Sequence, residues 1–143
     1  MSVLKHIVGV YKTCSEYKIN SFSKDQFGIL YSTLPAFRIA SNASKNVIID
    51  SITQALESSC LKIIKNGEST CGKQLLHFWK EKSWSALYRK STYCELCVFS
   101  DFISLHFHEY SSTEKSLIYN EEKTIKFDSN KILEAIEEML RML

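Results

Sequence analysis

With 143 residues, 45% of them hydrophobic and 12% aromatic, the chain can bury a real core and is expected to form one domain over residues 1–143, which excludes a disordered segment. A net charge of +2 and a pI near 8.2 demand neither nucleic acid nor an anionic membrane as partner. The five cysteines are an odd number in contexts that read as core positions, which favours reduced thiols over a disulfide framework and an intracellular, cytoplasmic or nuclear protein that is not secreted.

In chain order, Val3, Leu4, Ile7, Val10, Tyr11 and Cys14 recur at helical spacing, so a first helix is predicted over residues 2–18. Its apolar run is too short for a signal segment, and no later stretch approaches a membrane span, so no membrane association is expected. Ser23 is a plausible N-cap for a second, short helix through Phe27, Leu30, Tyr31 and Leu34, ended by Pro35, the only proline. Residues 37–46 read as a loop. From Ser44 the stripe Ile48, Ile52, Ala55, Leu56, Cys60, Ile63 predicts a long helix stopped at Asn66-Gly67. Another helical pattern begins near Cys71 and carries Leu75, Leu76, Trp79 and then Ser83, Ala86 and Leu87 on one side, with a first strand over Trp84 to Lys90, leading into the hairpin, as the alternative for its end.

The stretch from Thr92 to Tyr110 carries the clearest signal. Folded as an antiparallel hairpin about Ser100-Asp101, it sets Cys94 opposite Phe107, Leu96 opposite Leu105 and Val98 opposite Ile103 on one apolar face. The other face then pairs Phe99 with Phe102, Cys97 with Ser104, Glu95 with His106 and Tyr93 with His108. A second, shorter hairpin is predicted over Lys115–Phe127. Asp128 or Ser129 should cap a terminal helix with the core stripe Ile132, Leu133, Ile136, Met139, Leu140 and Leu143. The fold class expected is α+β, with a mainly helical N-terminal half packed on a small antiparallel sheet, about residues 92–127, closed by a C-terminal helix.

The motifs are weighed on that frame. Residues 67–74 match the phosphate-binding pattern G-x-x-x-x-G-K and resemble a Walker A loop, with Gly67, Gly72 and Lys73 as possible phosphate contacts. Gln74 stands where a Ser or Thr would hold magnesium, and the preceding segment reads as a helix where the motif needs a strand. A glycine cap followed by the next helix start explains the same residues. Cys94 and Cys97 fit CxxC, but positions three apart in a strand face opposite ways. Cys97, His106 and His108 share a face and are weak metal candidates; no closed ligand set is evident, and no cofactor or metal is expected.

The stretch HFWKEKSWSALYRK, residues 77–90, is the best binding candidate. As one helix it aligns Lys73, His77, Lys80, Trp84 and Tyr88 opposite the core side, a surface of exposed aromatics among cations. His77, Lys80, Trp84 and Tyr88 would then bind another protein, or stack on the bases of single-stranded nucleic acid. The competing structural explanation is that Trp84 and Tyr88 belong to a second packed side. Catalytic signatures such as G-x-S-x-G and H-E-x-x-H are missing. The function expected is a non-catalytic intracellular protein-protein interaction module, a subunit or accessory factor of a larger complex; a degenerate nucleotide binder and a single-stranded nucleic-acid binder are the alternatives. Nothing in the sequence fixes an oligomeric state.

Overall fold

The computed structural model describes residues 2–61, 63–64 and 70–143. Among them lie eight strands in one sheet and four α-helices. The N-terminal half is not mainly helical. It opens with three antiparallel strands, β1 (Leu4–Lys12), β2 (Glu16–Asp25) and β3 (Leu30–Ala40), followed by helix α1 (Lys45–Ser58) and a two-residue strand β4 (Ile63–Ile64). Then come α2 (Thr70–Phe78), α3 (Trp84–Arg89), β5 (Thr92–Phe99), β6 (Phe102–Ser111), β7 (Ser116–Tyr119), β8 (Ile125–Asp128) and α4 (Ile132–Met142). The path across the sheet is β3-β2-β1-β5-β6-β7; β4 pairs with β2 and β8 with β6.

The predicted helix over 2–18 fails because β1 is a central strand covered on both faces. Val8 and Val10 enter the core on one side, and Ile7 and Tyr11 are buried on the other. A strand buried on both faces loses the polar-apolar alternation and yields a continuous apolar run that helical spacing also fits. In β2 the opposite disguise operates: Lys18, Asn20 and Ser21 are buried polar residues, so no apolar period marks it. Pro35 ends no helix. It lies in edge strand β3, where Asn20 pairs with Ala36 but Ser21 with Thr33, so that Leu34 and Pro35 form a bulge. An edge bulge accommodates a residue without an N–H. The expected loop over 37–46 is the end of β3 and a turn.

The hairpin of β5 and β6 has the predicted register, with Tyr93, Cys94, Glu95, Leu96, Cys97 and Val98 opposite His108, Phe107, His106, Leu105, Ser104 and Ile103. The second hairpin does not form. β7 and β8 lie in line along the far edge of β6, β7 against His108–Ser111 and β8 against Phe102–Leu105.

Helices α1 and α4 cover one face. Ile48, Ile52 and Ala55 of α1 and Ala135, Ile136 and Met139 of α4 meet Val8, Val10, Ile19, Cys94, Leu96, Ile103 and Leu105. Ser44 caps α1, its Oγ accepting the Val47 N–H at 3.4 Å. The helix ends at Ser58, short of Asn66-Gly67, which lie outside the described residues. Its end is spliced into the sheet. Pairing of β1 with β2 stops at Val8 and Ser21; beyond that point the Ile7 N–H donates to Ser59 Oγ (2.8 Å) and the Cys60 N–H to the Phe22 carbonyl (2.9 Å). A donor of β1 and an acceptor of β2 left by the divergence of the two strands are thereby satisfied.

Helices α2 and α3 cover part of the second face, where Leu75, Trp79 and Leu87 pack on Tyr11 and Tyr93. The sequence pattern over 71–90 reads as one helix, but α2 stops in a Schellman turn. Lys80 takes φ 57°, its N–H reaches the His77 carbonyl at 3.1 Å, and the Glu81 N–H reaches that of Leu76 at 2.8 Å. A lysine holds the position glycine usually marks, so no stop signal shows. The turn delivers Glu81 to Lys18 of β2 (2.9 Å) and Lys90 (2.7 Å), with the Glu81 and Lys18 side chains 4% and 5% exposed. Burial pushes the Glu81 carboxyl upward, but hydrogen bonds from Lys90 and Lys18 outweigh it and hold the group below its ordinary value.

Glu81→Ala leaves the Lys18 ammonium buried with only Glu16, at 3.3 Å, nearby. We expect a loss of about 2–3 kcal/mol in urea denaturation, somewhat under the range for an orphaned buried charge because Glu16 remains. A loss below about 0.5 kcal/mol, the scale of a surface pair, would show that the contact clamps nothing.

Candidate functional site

Two groups of side chains on the second face carry chemistry. The first is an aromatic cleft between α2–α3 and the β1–β3 strands. Tyr11, Leu30, Tyr31, Ser32, Cys71, Gly72, Trp84 and Tyr88 line a cavity of about 300 Å³. Tyr11 stands at its base, its ring 6.3 Å from and nearly parallel to Tyr88 and 5.7 Å from Trp79 in an edge contact. Trp84 lies 6.0 Å from Tyr88 and perpendicular to Trp79. Trp79 is buried, and its indole N–H donates to the Phe37 carbonyl at 3.1 Å. On the opposite wall the Tyr31 hydroxyl donates to Asp25 Oδ2 (3.3 Å), while Asp25 Oδ1 accepts the N–H groups of Phe27 and Ile29. Each wall is therefore fixed by a buried anchor.

The structure brings Trp84, Tyr88 and Gly72 together at this cleft and separates them from the cations expected beside them. Lys73, His77 and Lys80 are exposed, whereas Trp84 and Tyr88 are partly buried against Tyr11. The break at Lys80 is the reason: α3 no longer continues the face of α2, so the continuous aromatic and basic stripe does not exist. Gly72 lies inside α2, where an added Cβ would sit 3.5 Å from the Trp84 indole nitrogen. Gly67 lies outside the described residues. Two of the three possible phosphate contacts are thus residues of a helix, with Lys73 pointing into solvent. Tyr11 and Tyr31 escaped the sequence reading because both were placed in helices; the turn chemistry of Asp25-Gln26-Phe27-Gly28 was the available signal.

The second group is the polar row of the hairpin. The Tyr93 hydroxyl donates to Glu95 Oε2 (2.9 Å), and Ser104 Oγ and His106 Nε2 share a hydrogen bond at 2.6 Å. His106 stacks on Tyr119 at 5.1 Å, and His108 lies 5.4 Å from the same ring. Burial lowers the His106 imidazole below its ordinary value, opposed by Glu95 and reinforced by His108 and Lys126. Gly9 lies beneath this row because nothing larger fits: an added Cβ would stand 2.7 Å from Tyr93 Oη and 3.0 Å from Asn20 Oδ1.

In the hairpin row the serine and the thiols are buried. Ser104 is 1% exposed, and its strand is paired on both sides, with Cys97 and with Lys126. The peptide groups beside it are committed to two ladders, which leaves no backbone pair aimed at a developing oxyanion. Burial pushes the Cys97 thiol up to about 12 and the Cys94 thiol higher still, away from the thiolate a nucleophile or metal ligand requires. Among the described residues no group of three or more His, Cys, Asp or Glu side chains is placed to hold a metal ion, so Cys97, His106 and His108 do not close into a ligand set. No helix among the described residues is long and apolar enough to cross a membrane.

No family model and no curated protein matches the chain. Its fold is similar to that of a protein of unknown function from Neisseria meningitidis, with TM-score 0.65 and 10% identity over 91% of this chain and 85% of that one. It is also similar to a chain of the CdiA-CT/CdiI toxin and immunity complex from Yersinia pseudotuberculosis, with TM-score 0.58 and 12% identity over 91% and 88%. At these identities the likeness is one of fold.

Two measurements check this geometry. Gly9→Ala should cost about 1–3 kcal/mol by overpacking against Tyr93 and Asn20, read as a lowered denaturation midpoint; an unchanged midpoint would mean that the strand face is open there. For His106, the folded state binds fewer protons than the unfolded chain wherever its pKa is lowered. Stability should therefore fall as pH drops below about 6.5, the ordinary imidazole value, and His106→Asn should flatten that part of the stability-pH curve. Parallel curves for the two proteins would contradict it.

Proposed function

We propose that the chain is a non-catalytic protein-interaction module, a subunit or accessory factor of a larger complex, that anchors its partner in the cleft of Tyr31, Trp84 and Tyr88. The observation that carries this reading is the cleft itself: about 300 Å³ lined by four aromatic residues and held between two anchored walls. Such a recess accepts one large side chain. Tyr and Trp on rigid supports are the residues that most often dominate binding energy, because they bury large area with little loss of side-chain freedom.

Two further points support it. Neither thiol of the hairpin is activated, and the Ser104–His106 contact lacks oxyanion donors, which weighs against an enzyme. The fold is also that of a chain from a complex described as one of toxin and immunity protein, so the architecture is compatible with binding a protein. Nucleic-acid binding loses its best argument once Trp84 and Tyr88 part from Lys80 and His77.

The test is affinity capture from the native source with the wild-type chain and with Tyr31→Ala/Tyr88→Ala, chosen to leave Trp84 in its packed cluster. A protein recovered in stoichiometric amount by the wild type and bound at least about 30-fold more weakly by a folded double variant, the effect of a typical hot spot near 2 kcal/mol, is the expected result. Equal recovery by both proteins would refute the cleft as the anchor.

A further inference from the structure

On the first face, α1 and α4 close on each other at one end and part at the other. Lys45 at the start of α1 pairs with Glu137 of α4 at 3.4 Å, while the C-terminal half of α1 and the start of α4 leave between them a cavity of about 320 Å³. Its floor is a cross-strand row, His6 of β1 opposite Val98 of β5, which is opposite Ile103 of β6. Its apolar walls are Leu56 of α1 and Ile132 and Ile136 of α4. Leu56, Ile103 and Ile136, at 5%, 0% and 2% exposed, belong to the core behind the recess.

The rim is polar: Thr53 and Ser129 bring hydroxyls that donate or accept, and Glu57 supplies the carboxylate. Glu57 is exposed and makes no ion pair among the described residues. His6 Nδ1 lies 3.1 Å from the Ser59 carbonyl, to which it donates. No lysine or arginine lines the cavity. An apolar recess of this volume with an unpaired carboxylate and no basic side chain at its mouth selects a ligand with an apolar body and a cationic head.

We propose that this groove binds a small aryl- or alkylamine, its hydrocarbon body against Val98, Ile132 and Leu133 and its ammonium at the Glu57 carboxylate. Binding here is independent of the aromatic cleft, which lies on the opposite face of the sheet.

The test uses the full chain and phenethylamine as probe, followed by methyl resonances of Leu56, Val98, Ile103, Ile132 and Ile136, with 2-phenylethanol as the neutral counterpart. Phenethylamine should shift these methyls saturably and more tightly than 2-phenylethanol. Glu57→Gln, at an exposed position that does not threaten folding, should weaken the amine about threefold to tenfold and leave the alcohol unchanged, the scale of one partly exposed ion pair. Absence of saturable shifts at these methyls, or equal affinity of wild type and Glu57→Gln for the amine, would overturn the proposal.

Discussion

The ion pair between Lys18 and Glu81 determines what the second face of the sheet can be. Lys18 is a lysine in the middle of a strand, 4% exposed, and such a charge is tolerable only where a carboxylate reaches it. Glu81 can reach it only because α2 stops at Lys80 and turns. That turn sends α3 back across the sheet end, where Leu87 and Trp79 bury against Tyr11 and Tyr93. Lys90, at the far end of α3, returns to the same carboxylate. Helix break, helix position and cleft therefore share one electrostatic cause, and the first face, whose core is apolar, does not depend on it.

The two faces divide the labour of the molecule. The first is the larger apolar core under α1 and α4, with continuous contact from Val8 to Met139. The second is partly polar and only partly roofed, and Tyr11, Tyr93, Glu95 and His106 lie along it between the aromatic cleft and the hairpin. Burial raises the Tyr11 and Tyr93 phenols well above their ordinary values, reinforced by neighbouring groups that include Glu95, so they remain neutral donors. A face of neutral hydroxyls and aromatic rings on fixed strands is suited to recognition more than to proton transfer.

Much of the C-terminal half was legible. The register of β5 and β6 followed from one alternation and one turn, because only one pairing puts Cys94, Leu96 and Val98 on the same side as Phe107, Leu105 and Ile103. The stripe of α4 was equally plain, although its helix begins at Ile132 behind Lys131, with no side-chain cap. The N-terminal half was not legible, because β1 is apolar on both faces and β2 buries Lys18, Asn20 and Ser21; one hides the period of a strand and the other hides its hydrophobicity. Of the candidate site, Trp84 and Tyr88 could be picked out by type. Their surroundings could not, since the partners Tyr11 and Tyr31 come from misassigned strands and the break at Lys80 lacks a glycine.

The most direct test of the proposed cleft is hydrogen exchange on the chain, free and in complex with a protein recovered by affinity capture. Burial of a partner side chain in the cleft predicts slowed exchange concentrated in Leu30–Ser32 and in Trp84–Arg89, the two walls, with the β5–β6 ladder unchanged. Protection confined to other surfaces, such as β7 and β8 at the far edge of the sheet, with both walls exchanging as in the free chain, would contradict it.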